Sequence, residues 1–310
     1  MANRDPLFDI LKGIGIILVF VAHTFVKDVS PFIMSFHMPL FFIVSGYFFK
    51  PRPLAVQLRS DFRRIMVPFL LICVVTRLLI VLQQAHAGHT IAHPDSPAWF
   101  LLALFNAKFI YALICRAFPR HRLLASLTLS SIPCLVLLFA DIPRDIVVLS
   151  SCLCAVVFIA VGDCVRRHSL LAFLDGRAGV SAAVALLLWL TTSIYGQVDL
   201  HLCLFKLWII DFAGACAGTY LCYVVSRHVA ARAMAAAACL SRLGYYSLVV
   251  YSFHAIEYVF PSWFQICSLL HCSALPAILA TRFALCCGAA WAGMKIKPVR
   301  QIFFPVEKTL

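Results

Sequence analysis

The chain of 310 residues is 63% hydrophobic and only 13% charged, with a mean hydropathy of +0.95. A soluble globular chain carries about 25% charged and about 45–50% apolar residues, so this one cannot cover a water-facing surface, and a soluble enzyme is excluded. The net charge of +13, from 26 Lys and Arg against 13 acids, would point a soluble protein toward nucleic acid. In a membrane protein that excess is first the loop bias that sets orientation, and no nucleic-acid partner is expected.

A bilayer span needs about 20 mostly apolar residues, and ten such segments run roughly over 7–27, 32–49, 65–84, 98–116, 123–140, 146–165, 179–196, 206–226, 243–261 and 273–294. Each is expected to be a helix, because a chain in lipid must satisfy its backbone polar groups within its own segment. The basic residues test that count. One set of loops holds Lys50, Arg52, Arg59, Arg63, Arg64, Arg116, Arg120, Arg122, Arg166, Arg167, Arg177, Arg227, Arg232, Arg242, Lys295, Lys297, Arg300 and Lys308. The alternate loops hold Lys27, Arg144, Lys206 and little else. The asymmetry predicts ten crossings with both termini in the cytoplasm. The fold class is thus an all-α integral membrane bundle. It forms a single domain over 1–310, with a core at about 5–295 and a short cytoplasmic tail. The first apolar run carries Asp9 and Lys12 and follows no cleavable leader, so it reads as a retained span.

That first span is the most informative. A charge inside a transmembrane helix is costly and by default marks function. Asp9, Lys12, Ile16, Val19 and His23 fall on one helical face. Eleven residues at 1.5 Å each put Lys12 and His23 about 16 Å apart, at opposite ends of that face. Gly13 and Gly15 remove bulk beside Lys12, for a neighbouring helix or the thin arm of a ligand. The bland reading of Lys12 is snorkelling to the interface, with Asp9 neutralising it. A lone His23 in the outer half of a span needs a partner, and His37, returning in span two, is expected at a similar depth. Arg59, Arg63 and Arg64 precede span three; they read either as orientation anchors or as a phosphate cradle.

Further along, His254 and Glu257 lie three apart on one face of span nine. They read as an interhelical hydrogen bond, or as a carboxylate supporting a catalytic histidine. Asp163 and Asp211 are expected to pair with basic neighbours. His86, His89 and His93 suggest a metal only weakly, and a solvated loop is preferred; no metal site is expected. The fourteen cysteines read mostly as small buried hydrophobes; Cys267 and Cys272 near the outer face read as free thiols in preference to a disulfide formed in an oxidising compartment.

These residues together resemble the membrane-bound acyltransferase-3 family. Asp9, Lys12 and His23 match its opening pattern of a basic residue, ten residues and a histidine, with Lys where many members carry Arg. Phe36 to Phe42 and Ser45 to Tyr47 are similar to its Phe-His-x-Pro-Leu-Phe-Phe and Ser-Gly-Tyr segment. Arg63, Arg64, Pro68 and Phe69, then Trp99-Phe100-Leu101, resemble its next two elements. Leu243, Gly244, Ser247, Leu248, Tyr251 and His254 resemble a late one. No Arg-x-x-Arg stands in the 50–64 loop, a pattern some members show.

The resemblance, closest to the compact fucose-O-acetylase-like branch, implies acyl transfer at the cell inner membrane. The acyl group, most often acetyl, passes from cytoplasmic acetyl-CoA to a hydroxyl of an envelope or exported glycan. His23 is then expected as general base, with His37 orienting it or donating to an oxyanion. An acyl-histidine route stays open. Asp9 and Lys12 belong to the same reactive stripe. Lys12, Arg59, Arg63 and Arg64 are the candidate contacts for coenzyme A, and Trp99, His254 and Glu257 are substrate-side or supporting candidates. A homo-oligomer stays open. The rivals are a transporter or flippase using the same intramembrane charges, and a non-catalytic scaffold.

Overall fold

A computed structural model describes residues 5–24, 29–87, 97–139, 144–258 and 275–305. Lys27, His89, His93, Cys267, Cys272 and Lys308 lie outside the described residues. The architecture is all-helical apart from one small hairpin. In chain order the elements are α1 (Pro6–Thr24), α2 (Ser30–Met34), α3 (His37–Tyr47) and α4 (Leu54–Asp61). A π-helical turn over Phe62–Met66 leads into α5 (Val67–Ala87). Then follow α6 (Trp99–Ala117), α7 (Arg122–Phe139), α8 (Arg144–Arg167), α9 (Leu170–Asp175) and α10 (Ala178–Tyr195). Strands β1 (Val198–Asp199) and β2 (Leu204–Phe205) pair antiparallel, Val198 opposite Phe205 and Asp199 opposite Leu204. The chain ends with α11 (Ile209–Arg232), α12 (Met234–Tyr245), α13 (Ser247–Glu257), α14 (Leu275–Lys295) and α15 (Lys297–Phe303).

The chain is a multi-pass membrane protein. Among the described residues six helical stretches are long and apolar enough to cross a membrane: Pro6–Thr24, Leu54–Ala85, Trp99–Ala117, Ala178–Tyr195, Ile209–Arg232 and Leu275–Lys295. Shorter apolar helices cover Pro31–Tyr47 and Arg122–Val136. Each expected segment coincides with helical structure, but two are not continuous. Segment two breaks at Ser35–Phe36 between α2 and α3, and segment nine breaks at Tyr246 between α12 and α13. Segment eight starts three residues late, because residue 206 still belongs to the hairpin connection.

Close helix approach fixes the bundle. On α3, a Cβ at Gly46 would strike the Ile159 carbonyl of α8; on α8, a Cβ at Gly162 would strike the Ile43 carbonyl of α3. Reciprocal glycines bring two backbones into contact, as small residues do in membrane interfaces. On the other side of α8, the Ser130 hydroxyl of α7 donates to the Leu153 carbonyl at 2.7 Å and accepts the Val157 N–H at 3.1 Å. It thereby inserts into the ladder of its neighbour.

Buried charge is paired, as the cost of an isolated ion in this medium requires. Asp163 on α8 is fully buried and accepts from Tyr111 of α6 at 2.6 Å, Arg166 at 2.7 Å and Arg167 at 2.8 Å, with Arg122 of α7 at 3.4 Å. The basic partners expected for Asp163 are therefore present. Asp211 differs: it accepts backbone N–H groups, from Leu207 at 2.7 Å and Gln197 at 3.3 Å. Its carboxylate secures both feet of the hairpin rather than a cation. A further buried pair, Lys108 of α6 on Asp61 of α4, went unread in the sequence.

Candidate active site

Helix α1 runs along two cavities, one at each end of its charged face. The first cavity, of about 250 Å³, is lined by Val19 and His23 of α1 and by His37 and Met38 at the start of α3. Trp99 at the start of α6, the hairpin and Tyr258 complete its wall. The second cavity, of about 350 Å³, is lined by Lys12 and Ile16 of α1, Ser45 and Phe48 of α3, and Ile65 of the π-helical turn. The α12–α13 junction and Phe303 and Phe304 close it. Met38 and Tyr251 line both, so they form the wall between them. The stripe expected on α1 is thus one face shared between two chambers, Lys12 and Ile16 in one, Val19 and His23 in the other.

The histidines come together. The rings of His23 and His37 lie 6.4 Å apart, and His254 lies 5.1 Å from His23 on its other side. His23 Nδ1 donates to the Val19 carbonyl at 2.8 Å, and His37 Nδ1 donates to the Ile33 carbonyl at 3.1 Å. A carbonyl only accepts, so the proton of each neutral ring sits on Nδ1 and Nε2 keeps its lone pair. Each ring can therefore take a proton at Nε2. His37 makes no hydrogen bond to His23 among the described residues, and its neutral tautomer has no Nε2 proton to give an oxyanion. The Tyr258 ring lies 5.3 Å from His23 and lines the same cavity.

Behind this pair stands an arrangement only half legible in the sequence. His254 is buried, stacks on Phe20 at 4.4 Å, and donates from Nδ1 to Glu257 Oε1 at 3.1 Å. The same oxygen accepts from Arg282 of α14, from Nε at 3.0 Å and Nη2 at 2.7 Å. Arg282 then donates from Nη1 to the His23 carbonyl and to the Thr24 hydroxyl, both at 3.1 Å. One buried guanidinium therefore ties α14 to α13 and to the end of α1 that carries His23. Glu257 thus joins an interhelical ion pair with Arg282 to a hydrogen bond with His254. Arg282 went unnoticed within an apolar run. The signal was there: a lone Arg and a lone Glu in neighbouring spans at similar depth call for pairing.

The other expected residues separate from this centre. Asp9 pairs with Lys12 at 2.7 Å, and the two lie about 21 Å and about 16 Å along the axis from His23, so neither reaches the histidines. The space freed by Gly13 is taken by a helix, since a Cβ there would strike the Leu240 carbonyl of α12. Arg59 lies on α4, and Arg63 and Arg64 are exposed on the π-helical turn whose Ile65 lines the Lys12 cavity. Such turns are frequent at functional sites. Trp99 lines the histidine cavity. Among the described residues no group of His, Cys, Asp and Glu is arranged to hold a metal ion.

The family model described as an acyltransferase domain matches residues 6–292. No curated protein and no solved structure matches the chain.

Proposed function

The chain belongs to the acyltransferase-3 family, a family of membrane acyltransferases, and from that premise we propose the reaction that its two cavities serve. An acyl group, acetyl in the simplest case, moves from coenzyme A on the cytoplasmic side to a hydroxyl of a cell-envelope or exported carbohydrate. In this reading both termini are cytoplasmic, ten segments cross the inner membrane, and the Lys12 cavity opens to the cytoplasm. The observation that carries it is the shared wall. Met38 and Tyr251 bound both the Lys12 cavity and the histidine cavity, so a thin arm entering one ends at the other.

The residues present suit that donor. Lys12 supplies a point charge at the inner cavity, and Arg63 and Arg64 stand beside Ile65 where anionic phosphates stay near water. Arg59, about one helical turn earlier, extends the same basic surface. The interior between them, lined by Ile16, Phe41, Leu101 and Leu104, is apolar and takes an uncharged arm.

At the far end His23 Nε2 removes the hydroxyl proton as the oxygen attacks the thioester carbonyl. The carbon–oxygen bond forms, the carbon–sulfur bond breaks, and the departing sulfur takes the proton from the imidazolium. Tyr258 donates to the oxyanion, and Arg282 with Glu257 and His254 holds His23 in place. The test is the purified protein in detergent with acetyl-CoA and envelope glycan, following free coenzyme A and acylated sugar together. His23→Ala should abolish both while the protein still inserts. Retained transfer would sink the assignment of the base.

A further inference from the structure

The connection between α10 and α11 has more construction than a loop needs. Asp211 secures both its feet, and Cys203 and Trp208 adopt left-handed φ values of 55° and 49°. Non-glycine residues hold that conformation only where their surroundings over-determine it. Val198, Leu200 and Cys203 are buried in the bundle, and this turns the hairpin inward over the histidine cavity. Of its residues that reach the cavity, Asp199 and His201 are the polar ones. The His201 ring lies 4.8 Å from Trp99 with 33° between the planes, a tilted pair of rings side by side on the cavity wall. Asp199 uses Oδ1 to accept the Leu202 N–H at 2.9 Å, and Oδ2 has no hydrogen-bond partner among the described residues.

Asp199 also belongs to a second space. A groove of about 430 Å³ shares Met34, Val198 and Asp199 with the histidine cavity and continues past Ser193 and Gln197 to Lys206. The hairpin therefore stands at the junction between the chamber holding His23 and a polar groove leading away from it. Neither space alone exceeds the lower part of the roughly 300–1,000 Å³ range of small-molecule sites, so each suits a single small unit of a longer ligand.

We infer that the α10–α11 hairpin is the acceptor-binding element, and that the acceptor is an oligosaccharide spanning at least two sugar units. Trp99 and His201 form a ring platform for the C–H face of the sugar that is acylated. Asp199, an acceptor with a lone-pair oxygen to spare, takes hydroxyl donors at the junction with the next sugar in the groove. A pyranose presents this pair of demands, an apolar face and a rim of hydroxyls, and the hairpin supplies one group for each. This rests on the acyl-transfer reading above.

The test uses cells lacking the chain and complemented with each variant. Their membranes receive radiolabelled acetyl-CoA and native glycan at a series of concentrations, and acylated glycan and free coenzyme A, released one for one, are measured above the deletion background. His201→Ala and Asp199→Asn should each raise the glycan concentration needed for half-maximal transfer by about tenfold or more, with the acetyl-CoA dependence within about threefold of the parent. His201→Phe, which keeps a ring, should stay within about threefold of the parent for both. Leu202→Ala, on the exposed tip outside the cavity, is the control and should change neither dependence. An unchanged glycan dependence in His201→Ala and Asp199→Asn would overturn the proposal, as would a fall in maximal rate with both dependences unchanged, the mark of a merely structural hairpin. Failure of the parent chain to release coenzyme A would instead remove the acyl-CoA reading itself.

Discussion

Arg282→Met is the substitution that separates holding the site from performing its chemistry. Methionine fills comparable space but leaves Glu257, 7% exposed, with only His254 as a partner. It also frees the His23 carbonyl and the Thr24 hydroxyl. Removing one member of a buried ion pair costs about 3–5 kcal/mol. The insertion cost of an unpaired charge at mid-membrane, about 2.5–3.5 kcal/mol, agrees independently. At about 2–4 °C per kcal/mol the unfolding midpoint should fall by roughly 6–20 °C. Adding Glu257→Gln removes the orphaned charge, so the double variant should regain at least half of that loss. Acyl transfer should not return, because the tether on His23 is still missing. The assay is thermal unfolding in detergent followed by intrinsic fluorescence, alongside transfer to glycan. A single variant within about 1 kcal/mol of the parent, or a double variant equal to the sum of the singles, would refute the coupling.

Other outcomes follow from the same geometry. Gly162→Val should prevent recovery of monodisperse protein, since its side chain would enter the α3 backbone at Ile43; recovery at parental yield by size exclusion would contradict the close approach. Lys12→Met should raise the KM for acetyl-CoA by roughly 10- to 100-fold, the worth of about 1.5–3 kcal/mol for a hydrogen bond to a charged group, with kcat much less affected. Met38→Trp should block transfer by filling the wall between the cavities, at a stability cost of about 1–3 kcal/mol that leaves the protein folded. Steady-state kinetics on purified protein checks both, and unchanged parameters in either would break the proposed route.

Much of this was legible before the structure because lipid makes charge expensive. Asp9, Lys12 and His23 stood out within an apolar run, and 3.6 residues per turn put them on one face. The depth of His37 followed from the short return of the chain. What hydropathy could not reveal was discontinuity. The breaks at Ser35–Phe36 and Tyr246 lie inside apolar sequence, where one long helix and two short ones read alike. Arg282 was hidden for another reason. Its partners, Glu257 and the His23 carbonyl, are 25 and 259 positions away, and pairing across such separations is set by packing. The hairpin gave least warning of all, because left-handed Cys203 and Trp208 follow no local preference and depend on the anchor at Asp211.

The basic excess also divides differently once partners are known. Arg166 and Arg167 pair with Asp163 within α8, while Arg122 of α7 is committed to Asp163 of α8, and Arg227 of α11 to Asp175 of α9, so these last two hold helices together. Lys108 on Asp61 and Arg282 on Glu257 do the same within the bundle. Lys12 stands apart because its pairing with Asp9 leaves it lining a cavity, partly exposed, at the foot of the face that ends at His23. On the proposed reading an acyl group crosses the bilayer, and ions must not follow it. The wall between the chambers meets that demand with an apolar Met38 and a buried Tyr251 whose hydroxyl is spent on the Pro97 carbonyl. Charge is kept to either side of that wall, Lys12 below and Asp199 above, while the neutral imidazoles of His23 and His37 face the upper chamber. On the proposed reading, this division lets a thioester arm reach the base without opening a polar path behind it.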